Sequence, residues 1–219
     1  MMRPLLLLLA AIGLIGAAPA VDWTRHVTAT PTGSYVLGNP AAKVRLVEYL
    51  SYTCPHCAHF TNASATPLRQ TYVRSGKVAV EFRHAIRDGL DLTAAILARC
   101  GNQATFFRRS EAIFANQDAM FAKIEAWQAA NPAPTKMDEA IKAFAGASGL
   151  TALMAKQGIP LARQNQCLAS PEMLTAIEAQ AKEAWQVRHI PGTPTFLLGD
   201  QQLGGDWASL EPYLKAKVK

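Results

Sequence analysis

Residues 46–57, LVEYLSYTCPHC, join the end of an apolar run to a Cys-x-x-Cys motif and decide the fold class. The run at residues 43–50 (KVRLVEYL) predicts a strand buried within a sheet. From Pro55 onward the pattern is helical to about Arg74, and Ser75-Gly76 predicts the end of that helix. The two cysteines therefore lie where a strand gives way to a helix, a setting that favours redox chemistry.

The rest of the chain extends this strand and helix into an α/β pattern. Residues 78–82 (VAVEF) alternate like a second strand, residues 195–198 (TFLL) and 201–203 predict two more, and residues 207–217 predict a closing helix. Between residues 89 and 188 the sequence shows amphipathic helical stretches broken by Pro and Gly, with no convincing strand. The predicted order is β-α-β, a helical block, and β-β-α.

The first 20 residues predict an export signal. Arg3 supplies positive charge, residues 5–18 form an apolar stretch, and Ala18-Pro19-Ala20 offers small residues for cleavage. The apolar stretch is shorter than the roughly 20 residues that a membrane-spanning helix needs. We therefore expect a mature chain that begins near Val21 and works in the periplasm.

The mature chain of 199 residues, 219 less the 20 of the signal, fits one domain with a large insertion. We predict a lead-in at residues 21–42, the first part of the fold at 43–88, a helical insertion at 89–188 and the second part at 189–219. Hydrophobic residues make up 50% of the chain, which is ample for a packed core. The net charge of +6 comes from scattered lysines and arginines, so a nucleic-acid partner is not implied.

The Cys-Pro-His-Cys motif places its first thiol at the N-terminal end of a helix, where free backbone N–H groups and the helix dipole stabilise an anion. We therefore predict Cys54 as the nucleophilic thiolate and Cys57, one turn further and less exposed, as the resolving thiol. If the His56 ring lies near the Cys54 sulfur, it favours the charged form as well, and both effects lower the thiol pKa. A stabilised thiolate makes the disulfide a stronger oxidant of other thiols.

Two other interpretations of the motif stay open. It could form a structural disulfide, although such a bond would not require the strand-to-helix setting. It could also bind zinc together with His59. That site would lack the second close pair of ligands expected of structural zinc, and an oxidising compartment disfavours free thiolates. We therefore predict no metal and no cofactor.

Cys100 and Cys167 stand alone in segments that have a helical pattern. Because the compartment of an exported protein permits oxidation, we predict a structural disulfide between them that braces the helical insertion. The loop-entropy model assigns about 4 kcal/mol to so long a loop. The alternative is a pair of buried free thiols, since cysteine often serves as a small apolar core residue.

LVEYLSYTCPHC, followed by a helical block and then GTPTFLL at residues 192–198, resembles the DsbA-like branch of the thioredoxin superfamily. The match runs in order over most of the mature chain and implies an α/β thioredoxin fold with an inserted all-helical domain. It also implies a cis-proline at Pro194 that faces the active-site disulfide, although X-Pro bonds are cis in only about 5 to 6% of folded cases. The backbone of Thr193 would then pair with an extended substrate segment.

Glu48 lies six residues before Cys54 in an otherwise apolar strand, where a buried carboxylate is costly unless it has a partner or a task. The resemblance implies a buried acid at this position, with a raised pKa, that helps to move protons from Cys57. The alternative is a glutamate near a strand end that reaches water. Arg83, on the second strand, is a candidate partner for Glu48.

These residues together predict a periplasmic thiol-disulfide oxidoreductase that introduces disulfides into unfolded or reduced exported proteins through a mixed disulfide on Cys54. The resemblance implies reoxidation by a membrane partner of the DsbB type. One rival is a disulfide isomerase or reductase, because threonine before the cis-proline resembles the isomerases more than typical DsbA. The other rival is a disulfide-braced binding module without turnover. The most familiar DsbA proteins carry only the active-site pair, so Cys100 and Cys167 depart from them.

Overall fold

A computed structural model describes residues 21–132 and 134–218, and the predicted export signal at residues 1–20 lies outside them. The centre of the described part is a six-stranded mixed sheet. Its strands are β1 (Val27–Ala29), β2 (Tyr35–Gly38), β3 (Val44–Leu50), β4 (Val78–His84), β5 (Thr195–Leu198) and β6 (Gln201–Gly204). Their spatial order is β1-β2-β4-β3-β5-β6. β3 and β4 run parallel, and β5 is antiparallel to β3.

Helices supply the crossover between β3 and β4, the long insertion between β4 and β5, and the end of the chain. They are α1 (Pro55–Pro67), α2 (Gly89–Arg99), α3 (Phe106–Ala115), α4 (Gln117–Ala130), α5 (Met137–Ala147), α6 (Leu150–Lys156), α7 (Leu161–Leu168), α8 (Pro171–Lys182) and α9 (Trp207–Lys217). Within residues 21–132 and 134–218, none is both long and apolar enough to cross a membrane. The predicted α/β thioredoxin fold with an inserted all-helical segment is confirmed.

Helix α1 begins with Pro55, whose missing N–H is not needed in the first turn of a helix. After Pro67 the backbone continues as a π-helical segment, Leu68–Val73, because a proline inside a helix removes one regular hydrogen bond. The predicted helix from Pro55 to about Arg74 is thus continuous but changes its winding at Pro67.

The predicted lead-in contains two strands that the sequence analysis missed. β2 pairs antiparallel with β4, with Val36 opposite Glu81, and β1 pairs with β2. The Ser34 hydroxyl donates a 2.7 Å hydrogen bond to the Glu81 carboxylate and ties this segment to the sheet. Strands of three and four residues are too short to show a two-residue period, so the local pattern does not reveal them.

The two faces of β3 contact different parts of the fold, because successive strand side chains point in opposite directions. Leu46 and Leu50 belong to the main core together with α1. Val47 and Tyr49 pack on the other face, against Ala184 and neighbouring residues that follow α8. Glu48 shares the face of Leu46 and Leu50 and therefore points toward α1.

This alternation shows that the expected pairing of Arg83 with Glu48 is wrong. Arg83 lies opposite Tyr49 in the β3–β4 register, on the face away from Glu48. Its guanidinium donates to Glu81 at 2.8 Å, to Glu183 at 3.0 Å and to the Tyr49 hydroxyl at 2.9 Å. Arg83 therefore stabilises the opposite side of the sheet.

Cys100 and Cys167 are joined by a disulfide, with 5.7 Å between their Cα atoms. Cys100 ends α2 and Cys167 lies in α7, so the bond links two helices of the insertion. Both residues are buried.

Candidate active site

Cys54 and Cys57 are free thiols at the start of α1, where the loop that follows β3 leads into the helix. Cys54 is the N-cap residue, and its carbonyl accepts hydrogen bonds from the Cys57 N–H at 3.1 Å and the Ala58 N–H at 3.2 Å. Cys54 is 3% exposed and Cys57 is fully buried. The outer thiol is therefore the only one of the pair within reach of another molecule.

The surroundings move the two thiol pKa values in opposite directions. A hydrogen bond with the Cys57 thiol is the largest influence on Cys54, and its pKa falls to about 5, with help from the Thr193 side chain and the backbone N–H groups of Cys57 and His56. Burial, followed by the hydrogen bond and charge of Cys54, raises the pKa of Cys57 far above its ordinary range. One thiol is therefore a thiolate at neutral pH while its neighbour keeps its proton.

The expected contribution of His56 comes through its backbone. The backbone N–H of His56 is among the groups that lower the pKa of Cys54, and its ring is not. The side chain is exposed and lines a groove beside the thiols. His56 is therefore placed to meet an incoming molecule.

The peptide bond between Thr193 and Pro194 is cis, as the resemblance implied. The Cys54 sulfur lies 3.1 Å from the Thr193 carbonyl oxygen, to which it donates a hydrogen bond when it is protonated, so this loop covers the nucleophile directly. The groove has a volume of about 670 Å³. Its lining comprises His56, His59, Thr193, Pro194, Gly205, Asp206 and Ser209. An extended peptide placed in this groove would lie alongside Cys54.

The loop before Cys54, residues 51–53, is held by two carboxylates at the start of α2. The Asp91 carboxylate accepts from the Ser51 hydroxyl at 2.6 Å and from the Tyr52 N–H at 2.7 Å. The Asp88 carboxylate accepts from the Thr53 hydroxyl at 2.6 Å and also caps α2. Three hydrogen bonds to residues 51–53 thus fix the approach to the nucleophile.

A third anchor comes from the start of α4. The Gln117 side-chain amide donates to the Tyr52 carbonyl at 2.8 Å and to the Cys54 carbonyl at 3.0 Å, and the side chain is buried. The sequence analysis singled out none of these three anchors. The Asp-x-x-Asp spacing at residues 88–91 is a recognisable helix start, but it does not reveal which distant loop the carboxylates hold.

Glu48 is 5% exposed, which decides against the alternative of a glutamate that reaches water. Burial, with a smaller contribution from the charge of Glu111, raises the pKa of Glu48 to about 8. At neutral pH this carboxyl therefore holds a proton on the α1 side of the sheet.

Glu48→Gln is expected to stabilise the folded protein at neutral pH. The unfolded chain loses this proton near the ordinary pKa of 4.5, whereas the folded chain keeps it up to about pH 8. Folding therefore becomes less favourable as the pH rises between those values, by about 3 kcal/mol at pH 7. Chemical denaturation at pH 7 and below pH 4.5 measures the effect, which should disappear at the lower pH.

Glu81→Gln is the matched control, because Glu81 is also buried in this sheet. Burial alone would raise the pKa of Glu81, but hydrogen bonds from Arg83 and Ser34 outweigh it and lower the pKa. Glu81→Gln should therefore destabilise the protein at neutral pH. A change of the same sign in both variants would contradict the raised pKa of Glu48.

Metal binding finds no support at this site. Across residues 21–132 and 134–218, no three His, Cys, Asp or Glu side chains converge in a way that could hold a metal ion. The zinc interpretation of Cys54, Cys57 and His59 therefore lacks the ligand geometry it needs.

The chain is similar to known proteins over most of its length. A family model described as Thioredoxin matches residues 30–216. A candidate protein-disulfide oxidoreductase of Rickettsia prowazekii is 32% identical over 185 residues, which make up 84% of this chain and 61% of that protein. A similar protein of Rickettsia felis is 32% identical over 77% of this chain and 54% of its own length. The chain thus spans about three fifths or less of the length of the curated relatives that it matches.

Solved structures resemble the chain as well. A crystal structure of a protein-disulfide isomerase from Novosphingobium aromaticivorans is 33% identical, with a TM-score of 0.77, and the match covers 84% of this chain and 96% of that one. The crystal structure of α-DsbA1 from Wolbachia pipientis gives a TM-score of 0.67 at 22% identity, over 84% of this chain and 90% of that one. The second likeness is one of fold.

Proposed function

Because the chain belongs to the thioredoxin family, we propose that it is a periplasmic thiol-disulfide oxidoreductase of the DsbA type. The observation that carries the proposal is the pair of adjacent free thiols whose pKa values move apart, Cys54 to about 5 and Cys57 upward. Such a pair suits a nucleophile and a resolving group. The predicted export signal and the disulfide within the insertion support an oxidising compartment.

The reaction is an exchange of disulfides in two steps. A substrate thiolate attacks Cys54 in the oxidised pair, the bond between Cys54 and Cys57 breaks, and a mixed disulfide forms on Cys54. A second substrate thiolate then attacks the substrate sulfur and releases Cys54 as a thiolate. The low pKa of Cys54 supports this assignment, because a sulfur that is stable as an anion is a good leaving group.

Substrate binding in the groove beside Cys54 is supported by its position and by the cis bond before Pro194. The backbone of Thr193 is placed to pair with an extended segment of a reduced exported protein, in the manner of an added strand. Once reduced, the enzyme needs reoxidation. The family resemblance favours a membrane partner of the DsbB type for that step.

Disulfide isomerase or reductase activity is the second candidate. Two observations favour it. Thr193 precedes the cis-proline, where threonine resembles isomerases, and a solved structure that is 33% identical is described as a protein-disulfide isomerase. The low pKa of Cys54 favours the oxidase.

Equilibration of the Cys54–Cys57 pair with glutathione tests whether the pair favours oxidation or reduction of its substrates. At pH 7, a thiol pKa of about 5 stabilises the reduced form of the pair. The reduction potential is therefore expected to lie about 60 mV above that of an unperturbed dithiol. We expect this oxidising shift to shrink as the pH falls toward 5, because the thiolate is then lost. Alkylation of the free thiols followed by mass spectrometry gives the reduced fraction. A pair that stays oxidised under these conditions would favour the binding module.

A further inference from the structure

The C-terminal end of α2 holds a buried cation. Arg99 is the last residue of that helix, and only 9% of it is exposed. It lies about 12 Å along the helix from Asp91, which holds the loop of the nucleophile, because each residue of an α-helix adds about 1.5 Å. The surroundings of Arg99 are therefore a separate region from the thiols and the substrate groove.

No carboxylate within residues 21–132 and 134–218 neutralises this guanidinium. Its central carbon lies 4.6 Å from the centre of the Tyr35 ring, and two of its nitrogen atoms, Nε and Nη1, are buried without a hydrogen-bond partner. Burial lowers the pKa of Arg99, and the groups that oppose this shift are Tyr35 and Tyr52. A buried charge normally has a partner of opposite sign, since removing an unpaired ion from water is costly.

The side chain of Gln180 presents a second buried donor to the same region. Gln180 lies in α8, and its side-chain oxygen accepts the backbone N–H of His84 at 3.0 Å. This hydrogen bond fixes the orientation of the amide, so the nitrogen, Nε2, is turned away from that N–H. Nε2 is buried and has no hydrogen-bond partner among the described residues. Buried donors of this kind nearly always bind an acceptor.

Both donors lie beside Gly33, in the turn that precedes β2. Gly33 has a φ of +81°, and a Cβ atom at this position would lie 3.6 Å from Gln180 Nε2, 3.8 Å from Arg99 Nη2 and 3.6 Å from Ala176 Cβ. These are ordinary contact distances, so the missing side chain leaves room for one atom between α2 and α8. Gly33 is half-buried, which gives a small solute access from solvent.

The nearby ring of His84 supplies no counter-charge. It packs against aromatic rings, and burial, with a smaller contribution from the charge of Arg99, lowers its pKa well below the usual range. His84 is therefore neutral at neutral pH. The region keeps the positive charge of Arg99, with two nitrogen atoms and one methyl group around a space of atomic size.

We propose that this space binds a single monatomic anion, chloride, held by Arg99 Nη2 and Gln180 Nε2 and covered by the turn at Gly33. N–H groups of a charged side chain form strong hydrogen bonds with anions. A carboxylate or phosphate group has several oxygen atoms and needs more room than one side-chain carbon would fill. The anion links the turn before β2 to α2 and α8. It therefore stabilises the insertion against the sheet and takes no part in thiol exchange.

The dependence of thermal stability on chloride tests the site. The melting temperature of the protein is measured in sodium gluconate and in sodium chloride at equal ionic strength, so that general screening stays constant. A ligand that binds only the folded state raises the melting temperature. With a dissociation constant of about 10 mM, 100 mM chloride should raise it by about 4 °C. A wild type that melts at the same temperature in both salts would overturn the proposal.

Gly33→Ala should abolish the chloride response, because the added methyl group fills the space. Gly158→Ala is the matched control. Gly158 has a similar φ of +85°, but among the described residues no atom lies within 4 Å of the added carbon. Both variants should lose some stability through backbone strain, whereas only Gly158→Ala should keep the response of the wild type. Equal chloride responses in the two variants would overturn the proposed position of the anion.

Gln180→Glu tests the need for a negative charge, because it places a carboxylate where the anion would bind. One oxygen of this carboxylate can keep the hydrogen bond from the His84 N–H, and the other then lies beside Arg99. In gluconate the variant should melt above the wild type, by about as much as chloride raises the wild type, and chloride should add nothing further. A variant that melts below the wild type in gluconate, or still gains stability from chloride, would overturn the proposal.

Discussion

Cys57→Ser is expected to turn the protein into a covalent trap for its substrates. Cys54 keeps its position at the start of α1 and, as a thiolate, can still attack a disulfide of an exported protein, whereas the buried Cys57 thiol that would attack Cys54 and release that protein is gone. A well-placed intramolecular thiol acts at a very high effective concentration, so the adducts should persist at least about 10⁴-fold longer. Non-reducing electrophoresis of the variant expressed in an exporting cell measures the adducts.

Cys54→Ser is the matched variant and should capture almost nothing. The remaining thiol, Cys57, is fully buried, and its surroundings raise its pKa, so it is neither accessible nor ionised at neutral pH. Equal trapping by the two variants would show that the roles of nucleophile and resolving thiol are assigned wrongly.

Loss of the Cys100–Cys167 disulfide should have the largest effect on the stability of the folded protein. Cys100 and Cys167 are 67 residues apart in sequence, and the loop-entropy model gives about 4 kcal/mol for closing a loop of that length. In Cys100→Ala/Cys167→Ala the melting temperature should fall by about 10 °C, because each kcal/mol corresponds to about 2 to 4 °C in a chain of this size. Calorimetry of the variant and the wild type measures the difference.

Selective reduction of the wild-type protein checks the same bond. Both sulfurs are buried between helices, so an attacking thiolate has little access to them. Mild reductant should therefore expose Cys54 and Cys57 to alkylation and leave Cys100 and Cys167 bonded. Four alkylated cysteines under these conditions, or a variant as stable as the wild type, would contradict a bracing role.

The elements with strong local patterns could be predicted from the sequence. The strand at residues 43–50, the helix from Pro55 and the closing helix each carry enough residues to show their period or their ends. β1 and β2 could not be predicted in the same way, because β2 depends on pairing with β4, some 40 residues later, and β1 depends on pairing with β2. Such pairing is a property of the folded chain and leaves little trace in a segment of three or four residues.

The residues of the site also differ in how far the sequence alone predicts them. The motif itself identifies Cys54 and Cys57, whereas the buried acid at Glu48 was implied by the family resemblance. The cis bond at Pro194 came only from the family resemblance, since X-Pro bonds are mostly trans. Asp88 and Gln117 could not be assigned, because each contacts a loop more than 30 residues away.

The anchoring of residues 51–54 also bears on the modularity of the architecture. The loop that presents the nucleophile is held by Asp91 of α2 and Gln117 of α4, and both helices belong to the insertion. The insertion is therefore part of the scaffold of the reactive centre and cannot be regarded as an independent lid. Exchanging the insertion for another helical segment would therefore remove these anchors. A chimera without equivalent residues would leave residues 51–54 without their main supports.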